Sequence, residues 1–186
     1  LCDYLATINI TDTIPDSIHN KLLSLLREYF VLGGMPEVIA NYSEHKDLHQ
    51  VQILHADILN TYRNDFGKYA PRTQHKYLQK LFDKAPGMVG QHFRYVKIDP
   101  DMESRDIRSA LDYLSDAKII HRIHHTSASG LPLKSQINEK KFKLLFADIG
   151  LIYASMLIDP KMIFHENLLL LNKGALTEQF VGQELM

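Results

Sequence analysis

Apolar side chains recur every three or four residues through the stretch from about Asp47 to Phe66, and this pattern constrains the fold most. The stripe consists of Leu48, Val51, Leu54, Ile58, Tyr62 and Phe66. Three- and four-residue steps place side chains on one face of an α-helix. A long helix with one apolar face must bury that face, so we predict a helical core around it.

Glycine and proline divide the residues before this helix. Ile18, Leu22, Leu25, Leu26 and Tyr29 have helical spacing, and Asp16-Ser17 could cap their helix. We expect Gly33-Gly34 to end it, because glycine tolerates a left-handed backbone. Pro36 suits the first turn of the next helix, where its missing N–H costs nothing.

The second half of the chain mixes strand and helix patterns. Phe93 to Ile98 alternates apolar and basic residues, which predicts a half-exposed strand. Ser104 is placed to cap a helix with an apolar stripe formed by Ile107, Ala110, Leu111 and Leu114. Strands predicted at 119–125 and 141–146 would pair beside that helix. The layout is that of a winged helix.

We therefore predict a mainly helical α+β fold. A helical lid-like bundle would occupy residues 15–70 and a winged-helix-like module residues 71–160. The chain has 186 residues with 45% apolar and 23% charged side chains, which suits a globular protein. A single cysteine, Cys2, and no long apolar run predict a cytoplasmic protein without a membrane partner.

The search for catalytic motifs predicts that this chain is not an enzyme. No glycine begins a phosphate-binding G-x-x-x-x-G-K-[ST] loop, and there is no G-x-G-x-x-G. His45 and His49 are four residues apart, a spacing that could place both on one helical face, but they lack a third ligand nearby, so no metal site is predicted. Asp148 follows an apolar run, as a magnesium-binding aspartate does, but Ile149 comes next, which favours a helix N-cap.

A basic surface gives an alternative function, DNA binding. Arg105 and Arg108 lie on the polar face of the predicted 104–116 helix, and Arg122 and Lys134 belong to the predicted hairpin. A recognition helix uses such side chains in the major groove. Aspartates on the same helix would repel phosphates, so a protein-facing surface is the other interpretation. The net charge of −1 gives no general attraction to nucleic acid.

Both ends of the sequence fall within apolar-periodic segments. Leu1, Tyr4, Leu5 and Ile8 form one, and Leu176, Phe180, Val181 and Leu185 form the other on one predicted helical face. We expect the chain to be an excerpt of a longer protein.

Six runs in order resemble predicted prokaryotic AAA-superfamily P-loop ATPases that carry a domain of unknown function behind the ATPase core. The runs are Tyr29–Val38, Tyr62–Phe66, Ala110–Ala117, Gly130–Leu133, Phe142–Leu151 and Gly174–Val181. They span nearly the whole chain.

The resemblance implies a division of roles. The P-loop core would precede the chain, with 1–14 as its trailing segment, and would be the chain's main partner. ATP and magnesium would bind there, and no cofactor is expected in this chain. Gly33, Gly34 and Pro36 resemble the Gly-Gly-x-Pro with which related ATPases bring a helical lid to the nucleotide, and Arg63 is a candidate γ-phosphate sensor.

The resemblance also covers the end of the chain. Residues 161–186 resemble a linker and the first helix of a restriction-endonuclease-like domain. The leading prediction is a non-catalytic regulatory and coupling segment, and a DNA-binding winged-helix module is the alternative. A stand-alone hydrolase would require turnover by the chain itself.

Overall fold

The computed structural model describes residues 7–9, 11–157 and 174–186. Seven α-helices lie wholly within them: α1 (Asp16–Leu32), α2 (Pro36–His45), α3 (Leu48–Tyr69), α4 (His75–Lys84), α5 (Ser104–Asp116), α6 (Ile149–Ser155) and α7 (Ala175–Glu184). Strands β1 (Ile120–Thr126) and β2 (Ile137–Phe146) form an antiparallel hairpin. The predicted mainly helical α+β class is confirmed.

The first three helices begin and end close to the predicted residues. Gly33 has φ 65°, the left-handed geometry expected of the residue that ends α1. Pro36 occupies the first turn of α2, and the Asp47 side chain caps α3 by accepting from the His49 N–H at 2.8 Å. Asp16 is wrong as a cap, because it is the first helical residue and Pro15 precedes it.

The α5–β1–β2 unit also matches its predicted order. All four residues of the α5 stripe are buried, and α5 packs against α4 and β1. Ser104 is wrong as the cap, because Glu103 occupies that position and makes no side-chain cap bond.

The strand predicted at Phe93–Ile98 is wrong. Only the start of this segment pairs with β2, through the Phe93 N–H and the Phe142 carbonyl at 2.9 Å. Tyr95–Lys97 forms a 3₁₀ turn that buries Ile98 completely and leaves Val96 62% exposed. The tight turn places Phe93 and Ile98 in the core, an odd spacing that a straight strand cannot satisfy.

One hydrophobic core extends from the helices of residues 15–70 into residues 71–160. Phe30 and Phe66 from the first part belong to the same cluster as Leu81, Leu111 and Phe146 from the second. A smaller cluster of Leu32, Val38 and Val51 lies under α2. The short helix α6 contacts α1, α3 and α7, so it lies where these parts meet.

Helix α7, within the predicted 161–186 segment, packs on β2 and α6. Its buried residues are Ala175, Leu176 and Gln179. The predicted apolar face is therefore wrong at Val181 and Leu185, which are 47% and 82% exposed. The apolar segment at 1–8 lies almost entirely outside the described residues, as does Cys2.

Candidate functional site

The carboxylate of Asp148 joins two distant parts of the chain. It lies between β2 and α6 and is 2% exposed. Its Oδ1 accepts from the N–H groups of Gly150 at 2.8 Å and Leu151 at 3.3 Å, which caps α6. Its Oδ2 accepts from the Gly34 N–H at 2.7 Å. The predicted N-cap is confirmed, and the same side chain also holds the α1–α2 turn.

Two glycines allow this approach. A Cβ at Gly33 would overlap Asp148 Oδ1, and a Cβ at Gly150 would lie 2.7 Å from the Leu32 carbonyl oxygen. Real Cβ atoms do not approach backbone oxygen so closely. The end of α1 and the start of α6 therefore meet backbone to backbone. We call Gly33, Gly34, Asp148 and Gly150 the Asp148 junction.

His55 supports the junction from α3. The side chain is 1% exposed, and its Nε2 lies 3.1 Å from the Leu32 carbonyl oxygen. Since a carbonyl only accepts, Nε2 must carry the proton. Burial lowers the pKa of His55, while the bond to Leu32 and the negative charge of Asp148 oppose that shift. Burial thus favours the neutral imidazole, which binds the Leu32 carbonyl at the end of α1.

Helix α7 contacts the same region from the other side. Gln183 accepts from the Ile149 N–H at 3.1 Å and donates to the Tyr29 hydroxyl at 3.0 Å. Burial, followed by the charges of Glu184 and Asp148, raises the pKa of Tyr29. These contacts link α1, α6 and α7 around the junction.

Gln179 fixes α7 to the sheet. It is completely buried, and its amide pairs with both backbone groups of Phe146. The Phe146 N–H donates to Oε1 at 2.9 Å, and Nε2 donates to the Phe146 carbonyl at 2.7 Å. A side chain here replaces a neighbouring strand at the edge of β2, which leaves no unpaired backbone group on Phe146.

The structure separates the predicted nucleotide-binding residues. Gly33, Gly34 and Pro36 lie together at the α1–α2 turn. Arg63 lies two turns beyond His55 on α3, about 12 Å along the helix axis. Its guanidinium donates to Asp83 at 2.9 Å and stacks 5.3 Å from the centre of the Phe82 ring. The guanidinium of Arg63 is thus engaged in an ion pair with Asp83.

Arg63 lies on the wall of a cleft of about 1540 Å³ between α3, α4 and the end of α6. Charged and polar residues on its wall include Lys46, Asp47, His49, Asn60, Asp83 and Ser155. The cleft wall therefore has both positively and negatively charged side chains. In the part of the chain that the structure describes, no three His, Cys, Asp or Glu residues come together as metal ligands.

The predicted DNA-contacting residues lie on α5 and the hairpin, and acidic neighbours pair with two of them. Arg105 is 84% exposed and lies 3.4 Å from Glu103. Arg122 binds Asp112 at 2.7 Å. Arg108 lies 5.9 Å from the centre of the Tyr95 ring, and Lys134 is exposed on the 3₁₀ turn Leu133–Gln136. Much of the positive charge on α5 and β1 is therefore neutralised within the chain.

Sequence reasoning missed His55 and Gln179. His55 belongs to the buried row Val51, His55, Leu59, spaced by four residues. Gln179 similarly replaces an apolar residue next to Leu176 on the buried face of α7. A polar residue that interrupts an apolar row at helical spacing was the available signal, because such a residue must find a buried partner.

None of the described helices is long and apolar enough to cross a membrane.

Comparisons with known proteins give one match. Comparison with the curated proteins and with the solved structures found no match. A family model described as "Domain of unknown function (DUF8612)" matches residues 23–161, which include α2–α6, most of α1 and the whole Asp148 junction. Since the match covers most of the sequence, the chain belongs to the DUF8612 domain family.

Proposed function

We propose that this chain is a non-catalytic regulatory and coupling segment of an ATP-binding AAA-type ATPase. In this proposal a P-loop core of the same cytoplasmic polypeptide binds ATP and magnesium. The helices of residues 15–70 form a lid over the nucleotide, and the module of residues 71–160 receives the signal. Residues 161–186 lead toward a further domain.

The Asp148 junction carries the proposal. Asp148 binds its own helix α6 through Oδ1 and the α1–α2 turn through Oδ2. The turn belongs to the lid, whereas β2 and α6 belong to the second module. A displacement of the turn therefore acts on α6 through a partly buried, charge-assisted hydrogen bond.

Competition for one donor supplies the switch. The Gly34 N–H is bound to Asp148. A nucleotide phosphate that approached this turn would need the same donor and would repel the carboxylate. Nucleotide binding and the bond between Gly34 and Asp148 would then exclude each other, which defines two states. Arg63 would sense the γ-phosphate in the nucleotide-bound state, after it leaves Asp83.

The test uses the longer protein that contains the P-loop core. We expect Asp148→Asn to tighten ATP binding by about 5- to 150-fold, the range of typical coupling energies, because an amide competes poorly for the Gly34 N–H. Asp47→Asn is the matched control, since Asp47 also caps a helix but is exposed and holds no other element. Gly34→Val should weaken ATP binding.

Two results would count against the proposal. One is an ATP affinity that Asp148→Asn and Gly34→Val both leave unchanged. The other is ATP hydrolysis by the 186-residue chain alone, which would show that the chain is itself an enzyme.

A further inference from the structure

The distal hairpin, residues 125–141, carries an excess of positive charge. It contains Lys134, Lys140 and Lys141 against a single acid, Glu139. Within the described residues none of the three lysines forms an ion pair, whereas Lys143, just beyond them, binds Glu178 at 2.8 Å. The whole chain has a net charge of −1. The basic patch is therefore local to this part of the hairpin.

A bulge in β2 displaces two of these lysines from the ladder. His124 pairs with Phe142, but the next residue, His125, pairs with Asn138. Residues 139–141 consequently have no partner on β1. The Asn138 side chain accepts from the Lys140 N–H at 3.0 Å and fixes the bulge. Bulges often change the direction of side chains, and the two exposed lysines in this bulge, Lys140 and Lys141, lie outside the paired ladder.

The loop at the tip is held in one conformation. Gln136 Oε1 accepts from the Ser129 N–H at 2.8 Å and from the Ser127 hydroxyl at 2.9 Å. Gln136 Nε2 donates to the Gly130 carbonyl at 2.6 Å. The loop nevertheless leaves Leu131 88% exposed. An ordered loop that presents an apolar side chain to water is preorganised for a partner, because little entropy remains to be lost on binding.

We propose that the distal hairpin binds the backbone and groove of duplex DNA. Duplex DNA offers one phosphate charge per about 1.7 Å of axis, so a local group of unpaired lysines meets several phosphates there. A two-stranded ribbon fits a DNA groove, and exposed apolar side chains such as Leu131 contact sugars and base edges there. The proposed DNA surface is the distal hairpin rather than α5 or the start of β1, since Arg105 and Arg122 have acidic partners.

The experiment measures binding of the 186-residue chain to a labelled duplex of about 20 base pairs, by fluorescence anisotropy at several salt concentrations. Three lysine–phosphate contacts predict a slope of log affinity against log salt of about −2.7. The triple variant Lys134→Gln, Lys140→Gln, Lys141→Gln should bring the slope close to zero and weaken binding at least about tenfold at low salt.

A second triple variant controls for overall charge. Lys21→Gln, Lys76→Gln and Lys84→Gln remove the same charge from exposed positions on α1 and α4, and should leave affinity and slope unchanged. Leu131→Ser should weaken binding but keep the slope, since it removes an apolar contact and no charge.

Three results would overturn the inference. The first is no duplex binding at about 25 mM salt, where electrostatic binding is strongest. The second is an equal loss in both triple variants. The third is Leu131-dependent binding to phosphatidylserine vesicles without duplex binding, which would assign the patch to a membrane surface. No ATP is present in these measurements, so their outcome is independent of the coupling proposal.

Discussion

Replacement of Asp148 by alanine should destabilise the chain far more than loss of an ordinary helix cap. The caps of α3 and α6 are both aspartates, Asp47 and Asp148, and loss of such a cap costs about 1 kcal/mol. Asp148 also accepts from the Gly34 N–H, and a hydrogen bond to a charged group contributes about 1.5–3 kcal/mol. Asp148→Ala should therefore cost about 3 kcal/mol, against about 1 kcal/mol for Asp47→Ala.

Asp148→Asn separates the two contributions. Asparagine is a good N-cap, so its oxygen can keep the bonds to Gly150 and Leu151. Its NH₂ group would then face the Gly34 N–H, donor against donor. We expect this variant to lose the junction bond alone, a cost of about 2 kcal/mol.

Urea unfolding measures these differences. With a slope of about 2 kcal/mol per molar urea, Asp148→Ala should lower the midpoint by about 1.5 M and Asp47→Ala by about 0.5 M. A double-mutant cycle gives a second check. Gly33→Ala should cost less in the Asp148→Ala background, because the clash with Asp148 Oδ1 is gone, while the left-handed backbone strain and the 2.8 Å approach to the Gly150 nitrogen remain. Equal midpoint shifts for the two aspartates would refute the reasoning.

Three further predictions test the surroundings of the junction. Gly150→Ala should destabilise by more than about 2 kcal/mol, since its Cβ would meet the Leu32 carbonyl, whereas Gly87→Ala, with open space around it, should change stability by less than about 1 kcal/mol; thermal unfolding of both variants decides this. Gln179→Leu leaves two buried groups of Phe146 unpaired, so hydrogen exchange should show α7 opening first, and unchanged protection would contradict it. The lowered pKa of His55 means that the unfolded chain binds more protons, so stability should fall as pH drops through about 6.5, and His55→Gln should reduce that fall; an identical pH profile would contradict it.

Local patterns predicted most of the fold. Helix and turn preferences act on residues that are close in sequence. Such residues determine the apolar stripes of α3 and α5, the helix end at Gly33, the helix start at Pro36 and the order of the hairpin. The wrong prediction of a strand at Phe93–Ile98 arises instead from tertiary contacts. Its alternation suits a strand, but packing of Ile98 in the core requires the Tyr95–Lys97 turn. Tertiary packing decided that segment, and alternation over so few residues could not.

The junction itself depends on contacts that no local pattern contains. The cap role of Asp148 is readable from its place before α6, because capping involves the next few residues. Its bond to Gly34 spans 114 positions of sequence. Similarly, Gln179 is recognisable as a polar interruption of a buried face, but its partner Phe146 is not. Sequence therefore identified Gly33, Gly34 and Asp148 separately and missed Gly150, and only the fold brings the four together.

Under the proposed function, the Gly33-Gly34 pair would combine an intrachain role with a nucleotide-binding role. Glycine is required at position 33 because Asp148 fills the space that a Cβ there would take. The same lack of side chains would let a phosphate reach the Gly34 N–H once the carboxylate moves away. In the proposed function, the carboxylate and the phosphate, both anionic, would exchange at this turn. Asp148 would act as the internal substitute for the nucleotide, which is why its replacement by asparagine should strengthen ATP binding while it weakens the fold.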